Sequence, residues 1–213
     1  LTVSGLNNNP SSLIRWGTNG LAFRTAGELI IIQTSLIPSA EPIPTPTPTP
    51  SPTPFPSPSP AAPAFIRQMP LAANDLVFSQ ATQKLYASVP SKQGSTGNSI
   101  AEIDPVSAAV TNQTFVGSEP TQLGLADDGV TLYVGLEGAA SIRSYNIQTH
   151  TAGAQFVVGR DNSNGPFGFS DIAVSPGNPS VVAVARQRRT VSPSEAGVAI
   201  FDNGVQRPNT GLP

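Results

Sequence analysis

Five basic residues that could bind anionic groups are concentrated in three polar stretches of the sequence. Lys92 lies in PSKQGSTGN, Arg160 in GRDNSNGPFGF, and Arg186, Arg188 and Arg189 in RQRRTVSPSEA. Ammonium and guanidinium groups pair with carboxylates and with anionic sugars, so these five residues form a candidate binding face. The alternative is that they are ordinary solvated charges on long hairpin loops.

Other residues that commonly carry chemistry are few. His150 is the only histidine and the chain has no cysteine, so a transition-metal site has no complete set of ligands. We expect His150 to be a solvated polar residue in a strand connection. Asp127-Asp128-Gly129 lacks the spacing of a calcium loop and is typical of a hairpin turn. The sequence therefore predicts no metal, no cofactor and no catalytic set of residues.

Composition excludes two classes of partner. The chain of 213 residues has 11 basic and 13 acidic side chains and a net charge of −2, which offers no attraction to nucleic acid or to an anionic membrane surface. Its longest apolar run, in ELIIIQ, is far shorter than the roughly 20 residues of a membrane-spanning helix. With 19 Gly, 23 Pro and only 11% charged residues, the chain is expected to be a turn-rich β protein.

The elements that must position these residues are predicted by an internal repeat. NDLVFSQATQKLYASVP aligns with TQLGLADDGVTLYVGLE, with Leu132 standing 47 residues after Leu85. SDIAVSPGNPSVVAVAR places Val181 in the same position, and SSLIRWGTNGLAFRTAG places Leu21 there. We therefore predict one domain, residues 1–213, made of four repeats. Their approximate bounds are residues 11–70, 71–118, 119–168 and 169–213.

Each repeat divides into four strand-sized pieces. In the second repeat these are DLVFS, KLYASV, NSIAEID and AAVTNQTFVG, rich in β-branched and aromatic residues and separated by turn motifs. One four-stranded sheet cannot cover both of its apolar faces, so repeats of this kind must stack. The pattern predicts an all-β fold, a β-propeller with blades of four antiparallel strands. About four repeats, and residues 1–6 as an outer strand without a blade of its own, predict an incomplete ring.

Two segments carry a family resemblance. LYVGL, followed by IRSYNIQTHTAG, and IAEIDPVSAAV resemble the LYVTN and V-x-V-I-D-P-x-T-G-x-V segments of bacterial YVTN-type, lactonase-like β-propellers. The resemblance covers residues 74–204 and, less closely, residues 11–36. It departs from the family pattern where Ser107-Ala108 replace the usual Thr-Gly turn. Because such propellers usually carry seven blades, it implies that this chain forms part of a ring.

A segment rich in proline, threonine and serine, residues 38–63, interrupts the first repeat. Alternating Thr-Pro and Ser-Pro fixes φ and removes hydrogen-bond donors, so we predict an extended insertion between the third and fourth strands of the first blade. It is either a plain surface loop, a docking segment anchored by Phe55, or a glycosylated spacer. The candidate O-glycosylation sites are Thr45, Thr47, Thr49, Ser51 and Thr53.

These observations favour a non-enzymatic function. We expect an extracellular, cell-surface or periplasmic scaffold or binding module, including a subunit of a larger assembly or fibre. The expected partners are other protein chains or further blades of the same polypeptide, and glycans. The alternative is a lactonase-like or quinoprotein-like enzyme whose site lies partly in blades absent from this chain. Fold resemblance alone does not carry function, so both classes stay open.

Overall fold

The computed structural model of the protein describes residues 10–34 and 65–208, and there the chain is built almost entirely of antiparallel strands. These strands form four sheets of four strands and one short hairpin. Within each large sheet the strands are neighbours in the order of the sequence. The predicted all-β fold with four antiparallel strands per repeat is confirmed.

The strand bounds follow the predicted strand segments closely. The first sheet contains β1 (Ser11–Trp16), β2 (Gly20–Arg24), β3 (Leu29–Gln33) and β4 (Phe65–Met69). The second contains β5 (Asp75–Ser79), β6 (Lys84–Val89), β7 (Ser99–Asp104) and β8 (Ala109–Phe115). The third contains β9 (Pro120–Leu125), β10 (Thr131–Leu136), β11 (Ser141–Asn146) and β12 (Thr151–Val157). The hairpin of β13 (Arg160–Asp161) and β14 (Gly165–Pro166) precedes the fourth sheet, which contains β15 (Gly168–Ser175), β16 (Asn178–Gln187), β17 (Glu195–Asp202) and β18 (Val205–Gln206).

The turn between β9 and β10 shows how local sequence ends these strands. Asp128 Oδ1 accepts hydrogen bonds from the backbone N–H groups of Val130 and Thr131, at 2.9 and 2.8 Å. Gly129 adopts a φ of 68°, a conformation that costs a glycine little. The Asp-Asp-Gly motif is therefore the hairpin turn that the sequence predicts.

The four sheets pack in a series through their first strands. The strand β1 contacts β5, β5 contacts β9, and β9 contacts β15. Leu29 and Leu76 lie in the core between the first and second sheets, with Trp16. Two further cores contain residues of the second and third sheets, and of the third and fourth. The second and third sheets are thus covered on both faces.

Trp16 marks the boundary between the first and second sheets. Its side chain is buried in their shared core and stacks on Phe65, with ring centroids 6.3 Å apart. The indole Nε1–H donates to the backbone oxygen of Leu21 at 3.0 Å, which satisfies its one polar group.

Glycines let the third and fourth sheets approach closely. A Cβ atom at Gly135 would lie 2.2 Å from a ring carbon of Phe169, and one at Gly124 would lie 2.8 Å from the Ile172 side chain. Neither glycine leaves room for a larger residue, so the fourth sheet packs directly against the backbone of the third.

The predicted alignment of the fourth repeat is wrong by one residue. Val134 pairs with Leu123, and Val184 pairs with Ile172 in the corresponding hairpin. The equivalent of Leu132 is therefore Val182, rather than the predicted Val181. The cause is a register shift between Val174 and Ser175, where one extra residue bends the hairpin. The alignments of Leu21, Leu85 and Leu132 agree with the side of the sheet on which each lies.

The predicted insertion, residues 38–63, lies outside the described residues, as do residues 1–6. Its place in the topology is nevertheless determined, because Gln33 at the end of β3 pairs with Phe65 at the start of β4. The segment therefore lies in the connection between two neighbouring strands of one sheet.

The arrangement as a whole is compatible with β-propeller blades. Each sheet is a four-stranded meander, and each contacts the next through its first strand. The described residues form four such sheets and show no closed ring.

A polar cluster joins the second and third sheets beside their shared core. Glu102 accepts hydrogen bonds from Thr111 Oγ1 at 2.6 Å and from Tyr86 Oη at 3.1 Å, and His150 Nε2 lies 2.9 Å from its Oε2. His150 is partly exposed and is also an inter-sheet partner of Glu102, a contact that the sequence did not predict. Burial alone would raise the pKa of Glu102, but the hydrogen bonds from Thr111, His150 and Tyr86 hold it below its usual value.

We predict that Leu132→Ala destabilises the fold by about 2 to 5 kcal/mol. Leu132 is fully buried between the second and third sheets, so truncation leaves a cavity that neighbouring strands cannot fill. Chemical denaturation followed by circular dichroism measures the change. Val110→Ala, at a half-exposed position on β8, is the control, with an expected loss below about 0.5 kcal/mol. Equal effects of the two substitutions would contradict the packing described here.

A second prediction concerns the connection between β3 and β4. Deleting residues 42–60 leaves 12 of the 31 residues between Gln33 and Phe65, enough to join two paired strand ends. The free energy of unfolding should stay constant or rise by up to about 1 kcal/mol, since a shorter loop costs less entropy to close. A deletion variant that loses its β-sheet circular dichroism would show that the segment is required by the fold.

The Glu102 cluster predicts a pH dependence of stability. Because the pKa of Glu102 is lower in the folded than in the unfolded chain, its contribution is complete above the unfolded value of about 4.3 and is lost as the pH falls through the folded value. Glu102→Gln should therefore destabilise by about 1 to 3 kcal/mol at pH 7, and by progressively less in acid. Unfolding measured from pH 7 to pH 3, with the exposed Glu195→Gln as control, tests this. A difference that is independent of pH would refute the assigned role.

Candidate binding face

The connections that carry the predicted basic residues meet on one side of the stacked sheets, which we call the loop face. It consists of the links between the second and third strands of each sheet and the links between successive sheets. In residue numbers these are 25–28, 70–74, 90–98, 116–119, 137–140, 158–167 and 188–194. Hydrogen bonds and ion pairs join six of these seven connections to one another, and the connection 70–74 is bonded to neighbouring strands.

Lys92 lies at the start of this surface. Its Nζ donates to the backbone oxygen of Ala26 at 3.2 Å, which links the loop of the second sheet to that of the first. The neighbouring Ser91 Oγ donates to Glu119, and the backbone N–H of Glu119 donates to Asn98 Oδ1 at 2.8 Å. Lys92 therefore lies at the opposite end of the loop face from the arginines and does not contact them.

Arg189 continues the surface to the fourth sheet. Its Nη2 lies 3.0 Å from Glu137 Oε1 and donates to the Glu137 backbone oxygen at 2.8 Å. The backbone N–H of Glu137 in turn donates to the backbone oxygen of Glu119 at 2.9 Å. Burial raises the pKa of Glu137 above its usual value, and Arg189 offsets only part of that rise. The positive charge of Arg189 is therefore compensated within the chain.

Arg188 is also engaged in an ion pair. Its Nε lies 3.1 Å from Asp161 Oδ2, and its Nη1 donates to the backbone oxygen of Glu195 at 2.7 Å. The backbone N–H of Ser163 and the Arg188 guanidinium lower the pKa of Asp161 to about 2. Arg188 holds the β13–β14 hairpin against the loop that follows β16.

Arg186 stacks on an aromatic ring and is partly withdrawn from solvent. Its Cζ lies 4.7 Å from the centroid of Phe167, a cation–π geometry. Its Nε is buried and has no hydrogen-bond partner in the described part of the chain. Burial lowers the pKa of its guanidinium. Arg186 is thus a packing residue at the base of the loop face.

Arg160 differs from the other four basic residues. It lies exposed on β13, and within residues 10–34 and 65–208 no carboxylate is within ion-pair distance of it. Beside it is a shallow, mainly apolar hollow of about 230 Å³. The hollow is lined by Ala139, Ala140, Val157, Gly159, Arg160 and Pro166. The guanidinium group of Arg160, unpaired within these ranges, therefore lies at the edge of an apolar hollow.

The structure thus separates the five predicted residues into different roles. Arg188 and Arg189 bind carboxylates of the chain, Arg186 packs on Phe167, and Lys92 bridges two loops. The acidic partners Glu137 and Asp161 were missed in the sequence, because nothing local indicates which distant loop each one faces. The predicted binding role of this face stays a prediction.

The other sites predicted from the sequence have no described structure. The candidate O-glycosylation residues Thr45, Thr47, Thr49, Ser51 and Thr53 lie outside the described residues. In the described ranges no three His, Asp or Glu side chains are grouped so that they could hold a metal ion. Over the same ranges, no helix has the length and apolar character needed to cross a membrane.

Comparison with known proteins bears on the fold alone. No family model matches the chain, and no curated protein matches it. Among solved structures 586 chains are similar. One is the Kuenenia stuttgartiensis hydrazine synthase, with a TM-score of 0.50 and 20% sequence identity over 65% of this chain. The match spans 37% of that chain, so this protein is similar in fold to about a third of a larger structure.

Proposed function

We propose that the chain is a section of a β-propeller that resembles the YVTN type. We further propose that it acts as a non-enzymatic binding or scaffold module. Three observations support the architecture. The sheets are four-stranded meanders, they pack in series through their first strands, and the predicted repeat matches the sheets. The likeness to a solved structure is consistent with this fold.

The observation that carries the binding function is the hydrogen-bonded loop face. Contacts from Ala26 through Glu119 and Glu137 to Arg189 join loops of all four sheets. Loops held together in this way lose little conformational freedom when a partner binds, so more of the contact energy appears as affinity. Rigid scaffolds that present such loops commonly carry binding sites.

The chemistry of the exposed part of this face indicates the kind of partner. The Arg160 side chain is exposed and has neither an ion pair nor a hydrogen bond within the described chain, and the apolar hollow adjoins it. The exposed Lys92, by contrast, donates to the backbone oxygen of Ala26. Guanidinium groups bind carboxylates in a bidentate manner. A protein segment with an acidic residue next to an apolar side chain would satisfy both features. The volume of the hollow, about 230 Å³, would hold one or two side chains.

Two further expectations remain proposals. The segment rich in proline, threonine and serine supports an extracellular, cell-surface or periplasmic location, where glycosylated spacers of this composition are common. The alternative is a lactonase-like or quinoprotein-like enzyme. It is supported by the resemblance of the repeats to lactonase-like propellers. Other protein chains are the partners that the loop face favours, and anionic glycans are the second class to be tested.

We predict that Arg160→Glu weakens binding of acidic and apolar peptides by at least about tenfold, since one charge-assisted hydrogen-bonded contact is lost. The probe is an immobilised array of peptides that pair Asp or Glu with Leu or Phe, read by fluorescence and then by titration of the best sequences. Heparin is the parallel probe for anionic glycans.

Arg67→Glu is the matched control, because Arg67 is an exposed arginine on β4 and the substitution changes net charge equally. Peptide binding that is lost in Arg160→Glu and kept in Arg67→Glu supports the proposal. Equal losses in both variants, or binding to heparin with no peptide selected, would overturn the protein-binding role of this face.

A further inference from the structure

One repeat position lies in the first half of the first strand of every sheet. It is occupied by Ser12, Asp75, Gln122 and Asp171. The next residue in each case is a large aliphatic side chain that faces the preceding sheet. In the second, third and fourth sheets this residue is buried, with Leu76 2%, Leu123 6% and Ile172 4% exposed. In the first sheet Leu13 is 67% exposed, since no described sheet precedes it.

Asp75 shows what the carboxylate at this position does. Its Oδ1 accepts hydrogen bonds from Ser12 Oγ and from the backbone N–H of Leu76, both at 2.8 Å. Its Oδ2 accepts the backbone N–H of Leu123 at 3.0 Å. One carboxylate therefore connects the first strands of three successive sheets, and its second oxygen binds the sheet that follows.

Asp171 repeats the first half of this arrangement at the open side of the fourth sheet. Its Oδ1 accepts the backbone N–H of Ile172 at 2.8 Å, as Asp75 does with Leu76. Asp171 is exposed, and in the described part of the chain no donor reaches its Oδ2. Within the described residues, Asp171 therefore lacks the second contact of Asp75, the N–H group of a following sheet.

The open side of the fourth sheet is also shaped to receive another sheet. Side chains alternate along strands, so Ala173, Ala183 and Ala185 lie on the side away from the third sheet, with Val198 and Ile200. Ala183 occupies the place of Tyr133, and Ala185 that of Gly135, the glycine that admits Phe169. This face is apolar, shallow and made mainly of small side chains.

The first sheet presents the complementary group. The register of β1 against β2 shifts between Ser11 and Ile14, so Ser12 and Leu13 have no paired residue on β2. Ser12, like Gln122, supplies no carboxylate for the N–H that follows it. Phe23, Ile30 and Ile32 on the same side of the sheet are already buried, so a contact here is confined to the first strand. First strands are also where the sheets of this chain meet most closely.

We propose that a second copy of this chain docks its first sheet on the fourth sheet of the first copy. Leu13 of the incoming copy packs on Ala173, and its N–H donates to Asp171 Oδ2, as the Leu123 N–H does to Asp75. The contact is head to tail, so it yields either a closed ring or an open series of copies. It rests on the propeller architecture proposed above and is independent of the Arg160 hollow.

Cysteine cross-linking tests the contact directly, because the chain has no native cysteine. Leu13→Cys and Ala173→Cys variants are mixed and treated with an oxidant or a short bismaleimide. We expect a product of twice the 21.9 kDa mass, absent from either variant alone. Val205→Cys, at a position 70% exposed on β18, replaces Ala173→Cys in the control mixture. No excess over that control would overturn the proposal.

Sedimentation of the unmodified protein at concentrations up to about 100 μM provides the second measurement. Asp171→Ala should weaken self-association about ten- to a hundredfold, by removing a charged acceptor. Leu13→Glu should abolish it, and Val205→Glu, a matched exposed apolar residue, should leave it unchanged. A monomer at every concentration would refute the second copy as the occupant.

Two outcomes separate this inference from the proposed function. A Leu13→Cys/Ala173→Cys double variant that cross-links within a single chain would show that the face is covered by the chain's own sheets, and would overturn docking by a second copy. Peptide binding measured on the monomeric Leu13→Glu variant reports the Arg160 hollow alone. Loss of self-association with binding retained therefore leaves the proposed function standing.

Discussion

The structure depends on one constraint, that a four-stranded sheet with apolar residues on both faces must be covered on both. The second and third sheets meet it completely, with cores on either side. The hydrophobic gain from burial, about 25 cal/mol per Å² of apolar surface, is then shared between neighbours. Each of the four described sheets shares a core with at least one neighbour. The repeat in the sequence reflects the same need for apolar residues in every sheet.

The polar contacts between sheets depend on the packing of the sheets, which brings their partners together. Asp75 joins first strands beside the cores, Glu102 joins the second and third sheets through His150, and Glu137 meets Arg189 across the loop face. Each pairing is possible because packing has already placed residues of distant sequence next to each other. The ion pairs between distant parts of the described chain are consequences of this order of dependence.

The strands and their order could be predicted from the sequence because the signals are local: alternating apolar residues, and turns such as that at Asp128. The register of the fourth hairpin could not, since one extra residue at Ser175 shifts Val182 into the place expected for Val181. The partners of Arg188, Arg189 and His150 were also missed, because 27, 52 and 48 residues separate each pair. Which loops adjoin is decided by the stacking of sheets, which no short motif records.

The burial of Trp16 gives the molecule an internal optical reporter. It is the only tryptophan, and its indole sits in the core shared by the first and second sheets. Its fluorescence maximum and quenching therefore report on the state of this one core. Tyr86, Tyr133 and Tyr145, buried in the other two cores, absorb without sharing that environment. Tryptophan emission compared with far-ultraviolet circular dichroism thus distinguishes detachment of the first sheet from unfolding of the whole series.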